Sequence, residues 1–79
     1  CSSDLGYARA QFNLGFLYES GRGTRKLLTE AYVWYTIAGE NGMEGAVRTR
    51  EELARKMKPY EVSYAQQRLT MLKKLLAGD

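Results

Sequence analysis

Two carboxylates stand side by side at Glu51 and Glu52, inside the stretch RTREELARKMK. A carboxylate pair is the usual equipment for general acid–base chemistry. Neighbouring positions on a helix point apart, however, so these two do not converge on one substrate atom. The same stretch carries Arg48, Arg50, Arg55, Lys56 and Lys58, a cluster of the kind that holds phosphate backbones. Glu51 and Glu52 interrupt it. Ser2, Ser3, Ser20 and Ser63 lie in no nucleophile motif, and SxxK is absent. The chain has no histidine and one cysteine. Histidine-based triads and zinc-hydrolase motifs are excluded, as is an internal disulfide. The residues predict no catalytic, cofactor-binding or metal site, and the chain does not read as an enzyme.

The totals are those expected of a small soluble globular chain. Of 79 residues, 44% are apolar and 27% charged. The net charge of +3 is spread and mixed in sign: four basic and three acidic residues up to Thr36, eight and six after it. That is the pattern of solvated helix faces rather than a nucleic-acid surface. The longest apolar-rich run, AYVWYTIAG, is far short of the ~20 residues of a membrane span. A basic start followed by an apolar core, the mark of a signal peptide, is not visible.

Hydrophobic spacing predicts four helices. The first covers about 7–20, where Tyr7, Gln11, Leu14 and Tyr18 fall on one line and Ala10, Leu14, Leu17 and Gly21 on the next. The second covers about 26–40, with Leu27, Ala31, Trp34 and Ala38 on one line and Leu28, Tyr32 and Tyr35 on another. The third covers about 43–57, with Ala46, Leu53 and Met57 together. Lys58–Pro59 ends it and Pro59 opens the fourth, which runs to about Ala77 along Val62, Ala65, Leu69, Leu72 and Leu76. Gly21, Gly23 and Gly42 mark turns, and Gly78 is a C-cap candidate. Short links predict antiparallel neighbours. Gly15 sits at the centre of the first helix, where glycine costs about 1 kcal/mol relative to alanine. Small residues at a helix crossing, Ala8, Gly15, Ala31 and Ala38, would let an aromatic ring approach, with Trp34, Tyr35 and Tyr18 as the fillers.

A shift of 36 residues brings SSDLGYARA onto AGENGMEGA and Leu17 onto Leu53. One helical hairpin per period in the thirties is the signature of an α-solenoid. The fold class expected is therefore all-α: an α-solenoid of antiparallel hairpins, about one and a half repeats plus a C-terminal capping helix. Residues 1–6 read as the tail of a preceding repeat helix, 7–42 as one repeat, and 43–79 as a partial repeat with the capping helix. Cys1 also suits the lipid-bearing first residue of an envelope lipoprotein, which is the alternative reading of the N-terminus.

Ala8, Ala10, Gln11, Leu14, Gly15, Tyr18, Gly21, Gly23, Glu30, Ala31, Trp34, Tyr35, Ala38, Gly42 and Ala46 resemble the pattern of the Sel-one-like repeat, a relative of the tetratricopeptide repeat. The resemblance covers about residues 6–46. The segment EELARKMKPYEVSYAQQRL looks like the closing segment of such arrays in bacterial members, with Ala65 and Gln66 in its final helix. Where the family usually has a capping aspartate, this chain has Leu27, so Thr24 or Thr29 would have to cap the second helix. Tyr7 and Met43 likewise replace a polar residue.

The resemblance implies a non-catalytic scaffold, without cofactor, that presents helical surfaces to another protein or peptide. Such members are common in bacteria, in cytoplasm or in periplasm and envelope. The candidate concave face is Arg9, Asn13, Phe16 and Ser20, which the shift sends to Gly45, Thr49, Glu52 and Lys56. Phe16 is a hot-spot candidate or packs on an upstream repeat. Self-association through the exposed N-terminal repeat face is a further expectation. Nucleic-acid binding by the Arg48–Lys58 cluster is the alternative function.

Overall fold

A computed structural model of the chain describes the backbone of residues 2–23 and 25–77 and the side chains of 8–23 and 25–75. Four helices form: α1 (Ser2–Ser20), α2 (Leu28–Glu40), α3 (Glu44–Lys56) and α4 (Pro59–Ala77), with no strand among the described residues. The all-helical expectation holds. Gly78 lies outside the described residues.

Helix ends follow local chemistry. α1 starts at Ser2 rather than at 7 and passes Gly6 without a break. One glycine costs about 1 kcal/mol, too little to end a helix unaided. α1 stops at Gly21, whose φ of 75° suits a residue without a Cβ. There the Leu17 carbonyl accepts from the N–H groups of Gly21 at 2.8 Å and Arg22 at 3.2 Å. α2 starts at Leu28, two residues later than the spacing predicts. Leu27 is the N-cap residue, and no side chain bonds to the cap. Thr29 therefore does not replace the missing aspartate, and Thr24 lies outside the described residues. Leu27 serves through its backbone alone: its N–H donates to the Tyr18 carbonyl and its own carbonyl accepts from Ala31, both at 3.0 Å. α3 also starts uncapped, at Met43. α4 opens as expected at Pro59, and Glu61 reaches back to the Lys58 N–H at 2.9 Å, half of a capping box.

α2 is the central helix, and α1, α3 and α4 each pack on it. Ala31, Tyr32, Val33, Tyr35, Thr36, Ile37 and Ala38 are all buried. α1 runs antiparallel to it, with Ala8, Ala31 and Ala38 fully buried along the seam. At the crossing, a Cβ placed on Gly15 would lie 2.9 Å from two ring carbons of Tyr35 and 3.2 Å from the Ala31 carbonyl oxygen. Gly15 is thus the gap into which Tyr35 fits. Burying that ring contributes roughly 2–3 kcal/mol, more than the helix-propensity cost of Gly15. Gly39 repeats the device toward α3: its Cβ would meet Val47 Cγ2 at 2.5 Å.

Three expectations are corrected. Trp34 is half-buried and turns toward Arg68, Met71 and Leu72 of α4, not toward Gly15. Ala10 is exposed and Leu17 is 39% exposed, while Leu14 and Gly21 are half-buried, so the second line of α1 is only partly covered. Finally, α3 and α4 are not close antiparallel neighbours; both pack chiefly on α2. Their apolar lines, Leu53 and Met57 on one and Val62, Ala65 and Leu69 on the other, join the cluster built around α2. α4 runs in the same sense as α2: Gln66 meets Tyr32 at 3.4 Å near the start of α2, and Lys73 meets Glu40 at 2.6 Å at its end.

Three substitutions test this account. Gly15→Ala should destabilise the chain by about 1–2 kcal/mol, because overpacking against a held ring outweighs the gain in helix propensity. Gly45→Ala, with nothing within 4 Å of its added Cβ, should leave the melting temperature unchanged or raise it. Leu27→Asp should supply the absent cap and stabilise by about 1 kcal/mol, a rise of roughly 4–8 °C in thermal denaturation for a chain of this size.

Candidate partner-binding site

The predicted concave face is solvent-facing. Arg9, Asn13, Phe16 and Ser20 of α1 are exposed, as are Gly45, Glu52 and Lys56 of α3, while Thr49 is half-buried. The α2 contact uses Ala8, Gln11, Phe12 and Gly15, which leaves this line of α1 turned outward. Phe16 stands 51% exposed among polar neighbours. Both hydroxyls of the face are spent inside their own helices. Ser20 Oγ donates to the Phe16 carbonyl at 2.7 Å, and Thr49 Oγ1 to the Gly45 carbonyl at 2.9 Å. The site therefore offers one ring, a guanidinium, an amide, an ammonium and a carboxylate.

The two halves of the face meet at one end. Lys56 Nζ lies 3.7 Å from Glu19, the residue before Ser20. Glu19 also accepts a hydrogen bond of 2.7 Å from the Tyr35 hydroxyl. The Tyr35 ring is fully buried and tilted against Phe12 at 5.2 Å between centroids. Burial pushes the Tyr35 hydroxyl well above its ordinary value of 10.0, and the bond to Glu19 and its negative charge push the same way. A phenol with no exposed surface meets no reactant, so this pair holds α1, α2 and α3 in register rather than doing chemistry. Gln11 plays the matching part at the other end of α1, accepting from Asn41 Nδ2 at 2.7 Å.

The basic cluster does not form one face. Arg50 lies over the Tyr32 ring, 5.8 Å from its centroid, and 3.9 Å from Glu51. Lys58 lies over Tyr60, and Lys56 is drawn to Glu19. Arg48 and Arg55 share a hollow with Glu51 and Glu52. Among the described residues, no group of three or more His, Cys, Asp or Glu could hold a metal ion. No described helix is long and apolar enough to cross a membrane.

Spacing did not reveal two features. Glu19 carries no mark of its partnership with a tyrosine sixteen residues on. A groove of about 250 Å³ between α2 and α4 is lined by Val33, Trp34, Arg68, Met71, Leu72 and Leu75. Trp34 Nε1 is buried there without a hydrogen-bond partner among the described residues. Arg68 closes one side through a 2.7 Å ion pair with Glu30.

No protein-family model matches the chain, and no solved structure matches it significantly. The chain is similar to a protein of Acanthamoeba polyphaga mimivirus whose name describes it as a putative sel1-like repeat-containing protein. The two are 43% identical over 37 residues, which is 47% of this chain and 7% of that protein. The match joins the helical architecture in pointing to a Sel-one-like repeat, over about half the chain. It gives no support to a bacterial source.

The Tyr35 hydroxyl predicts a pH dependence. Its folded-state value lies above its unfolded one, so the unfolded chain loses this proton first and stability falls as pH rises past about 10. Urea denaturation between pH 8 and 11 should show that fall, and Tyr35→Phe should flatten it while lowering stability near neutrality by about 1 kcal/mol.

Proposed function

We propose that the chain is part of an α-solenoid of Sel-one-like repeats that acts as a non-catalytic scaffold for another protein or peptide. One observation carries the repeat reading. Ala46 and Leu53 of α3 are 0% and 1% exposed against α2. Ala10 and Leu17 stand 36 residues earlier on α1, of the same types and at the same spacing, yet Ala10 is exposed and Leu17 is 39% exposed. α1 is thus built to receive a hairpin as α3 receives α2. On this reading residues 7–42 are one unit, and 43–79 a partial unit closed by α4 as a capping helix.

The partner surface is the ridge of Arg9, Asn13, Phe16, Ser20, Thr49, Glu52 and Lys56. A half-exposed ring set among polar groups is the composition of a binding hot spot. Glu51 and Glu52 among the arginines weigh against the nucleic-acid alternative, since phosphate contacts need an uninterrupted basic track.

The test is a set of peptides selected from a display library against the folded chain. Phe16→Ala should weaken their binding by tenfold or more, about 1.4 kcal/mol, with the melting temperature unchanged. Unaltered affinity, or loss of folding, would remove this ridge as the site.

A further inference from the structure

α4 has two apolar faces. Val62, Ala65, Leu69 and Leu72 turn toward α2. A second line, Tyr60, Tyr64, Met71 and Leu75, faces solvent at 67%, 51%, 67% and 76% exposure. At 100° per residue these four share one stripe: Tyr60 and Tyr64 lie well round the helix from the α2 contact, and Met71 and Leu75 border the α2–α4 groove beside Val33 and Trp34. Singly exposed apolar residues are ordinary, but four aligned on one helix are a patch. The steps along the stripe are four, seven and four residues, and that order reads the same in both directions.

We infer that this stripe is a two-fold dimer interface, occupied by α4 of a second copy running antiparallel. A two-fold axis between Gln67 and Arg68 lays Tyr60 beside Leu75 of the second copy and Tyr64 beside its Met71. Each ring then lies against an aliphatic chain, and the contact closes on itself, as isologous interfaces do. The charged residue nearest the axis is Arg68; its guanidinium pairs with Glu30 at 2.7 Å, which offsets its charge, and also lies beside the Tyr64 side chain at the edge of the stripe. At about 200 Å² per large side chain, the exposed fractions amount to roughly 400–550 Å² per copy. Pairing buries at most about 1,000 Å² in all, below the roughly 1,200 Å² at which stable interfaces begin, so the dimer is weak and reversible. This interface differs from the part-exposed face of α1 and does not rest on the partner-binding ridge.

Sedimentation equilibrium of the full chain, from about 10 µM to about 1 mM, tests it. The expected result is a monomer–dimer equilibrium that stops at two. Leu75→Glu should shift the midpoint at least tenfold toward monomer with the circular dichroism unchanged, while Leu17→Glu should not shift it. In a Cys1→Ser background, a mixture of Tyr64→Cys and Met71→Cys chains should form the mixed disulfide faster than either chain forms its own. A monomer throughout the range, mass rising past the dimer, sensitivity to Leu17→Glu instead of Leu75→Glu, or faster like-with-like disulfides would each overturn the proposal. None of these outcomes touches peptide binding at Phe16, so the two readings fail separately.

Discussion

The approach of α1 to α2 at Gly15 is the constraint on which the rest depends. A methyl group there would lie 2.9 Å from the Tyr35 ring, inside any normal contact. Its absence lets the ring sit fully buried against Phe12 and Ala31. The same placement sends the Tyr35 hydroxyl to Glu19, and Glu19 in turn draws Lys56 of α3. One missing side chain thus sets the spacing of the first hairpin, while α3 takes its position from packing on α2. In a chain this small, where the core is limited, a ring of this size is a large share of the buried apolar surface.

α2 shows what a central helix looks like when three others cover it. Seven of its residues are buried and face several directions, so it lacks the single stripe of a surface helix. Its start has no side-chain cap, and its hold comes from packing. The ion pairs Arg68–Glu30 and Lys73–Glu40 bind α4 along its outer edge. Both cations are about half exposed, and such pairs contribute little, about 0–1 kcal/mol each. They orient α4 more than they stabilise it.

The helices at the two edges, α1 and α4, each keep an apolar line that the described chain leaves part-exposed. On α1 the line copies one that α3 buries against α2. On α4 it copies nothing in the repeat and is symmetric along its own length. Only residues 57 and 58 separate α3 from α4, whereas the α1–α2 link spans 21–27, so the second hairpin is joined more tightly than the first.

Spacing alone determined the four helices, their turns at Gly21 and Gly42, the opening of α4 at Pro59, and Gly15 as a gap for a ring. These follow from backbone geometry and from a 3.6-residue period, which are local properties. The solvent-facing line of Arg9, Asn13, Phe16 and Ser20 was legible for the same reason: it is the remainder when the packing line is removed. Which ring fills the gap was not legible. Tyr35 and Trp34 are adjacent, and a helix turns them about 100° apart, so only the positions of α1 and α4 decide which faces which. Nor could spacing tell that Leu17 is part-exposed while Leu53 is buried, or that Tyr60, Tyr64, Met71 and Leu75 are exposed. Burial belongs to the neighbour that arrives, and the tertiary arrangement alone specifies which helix has one.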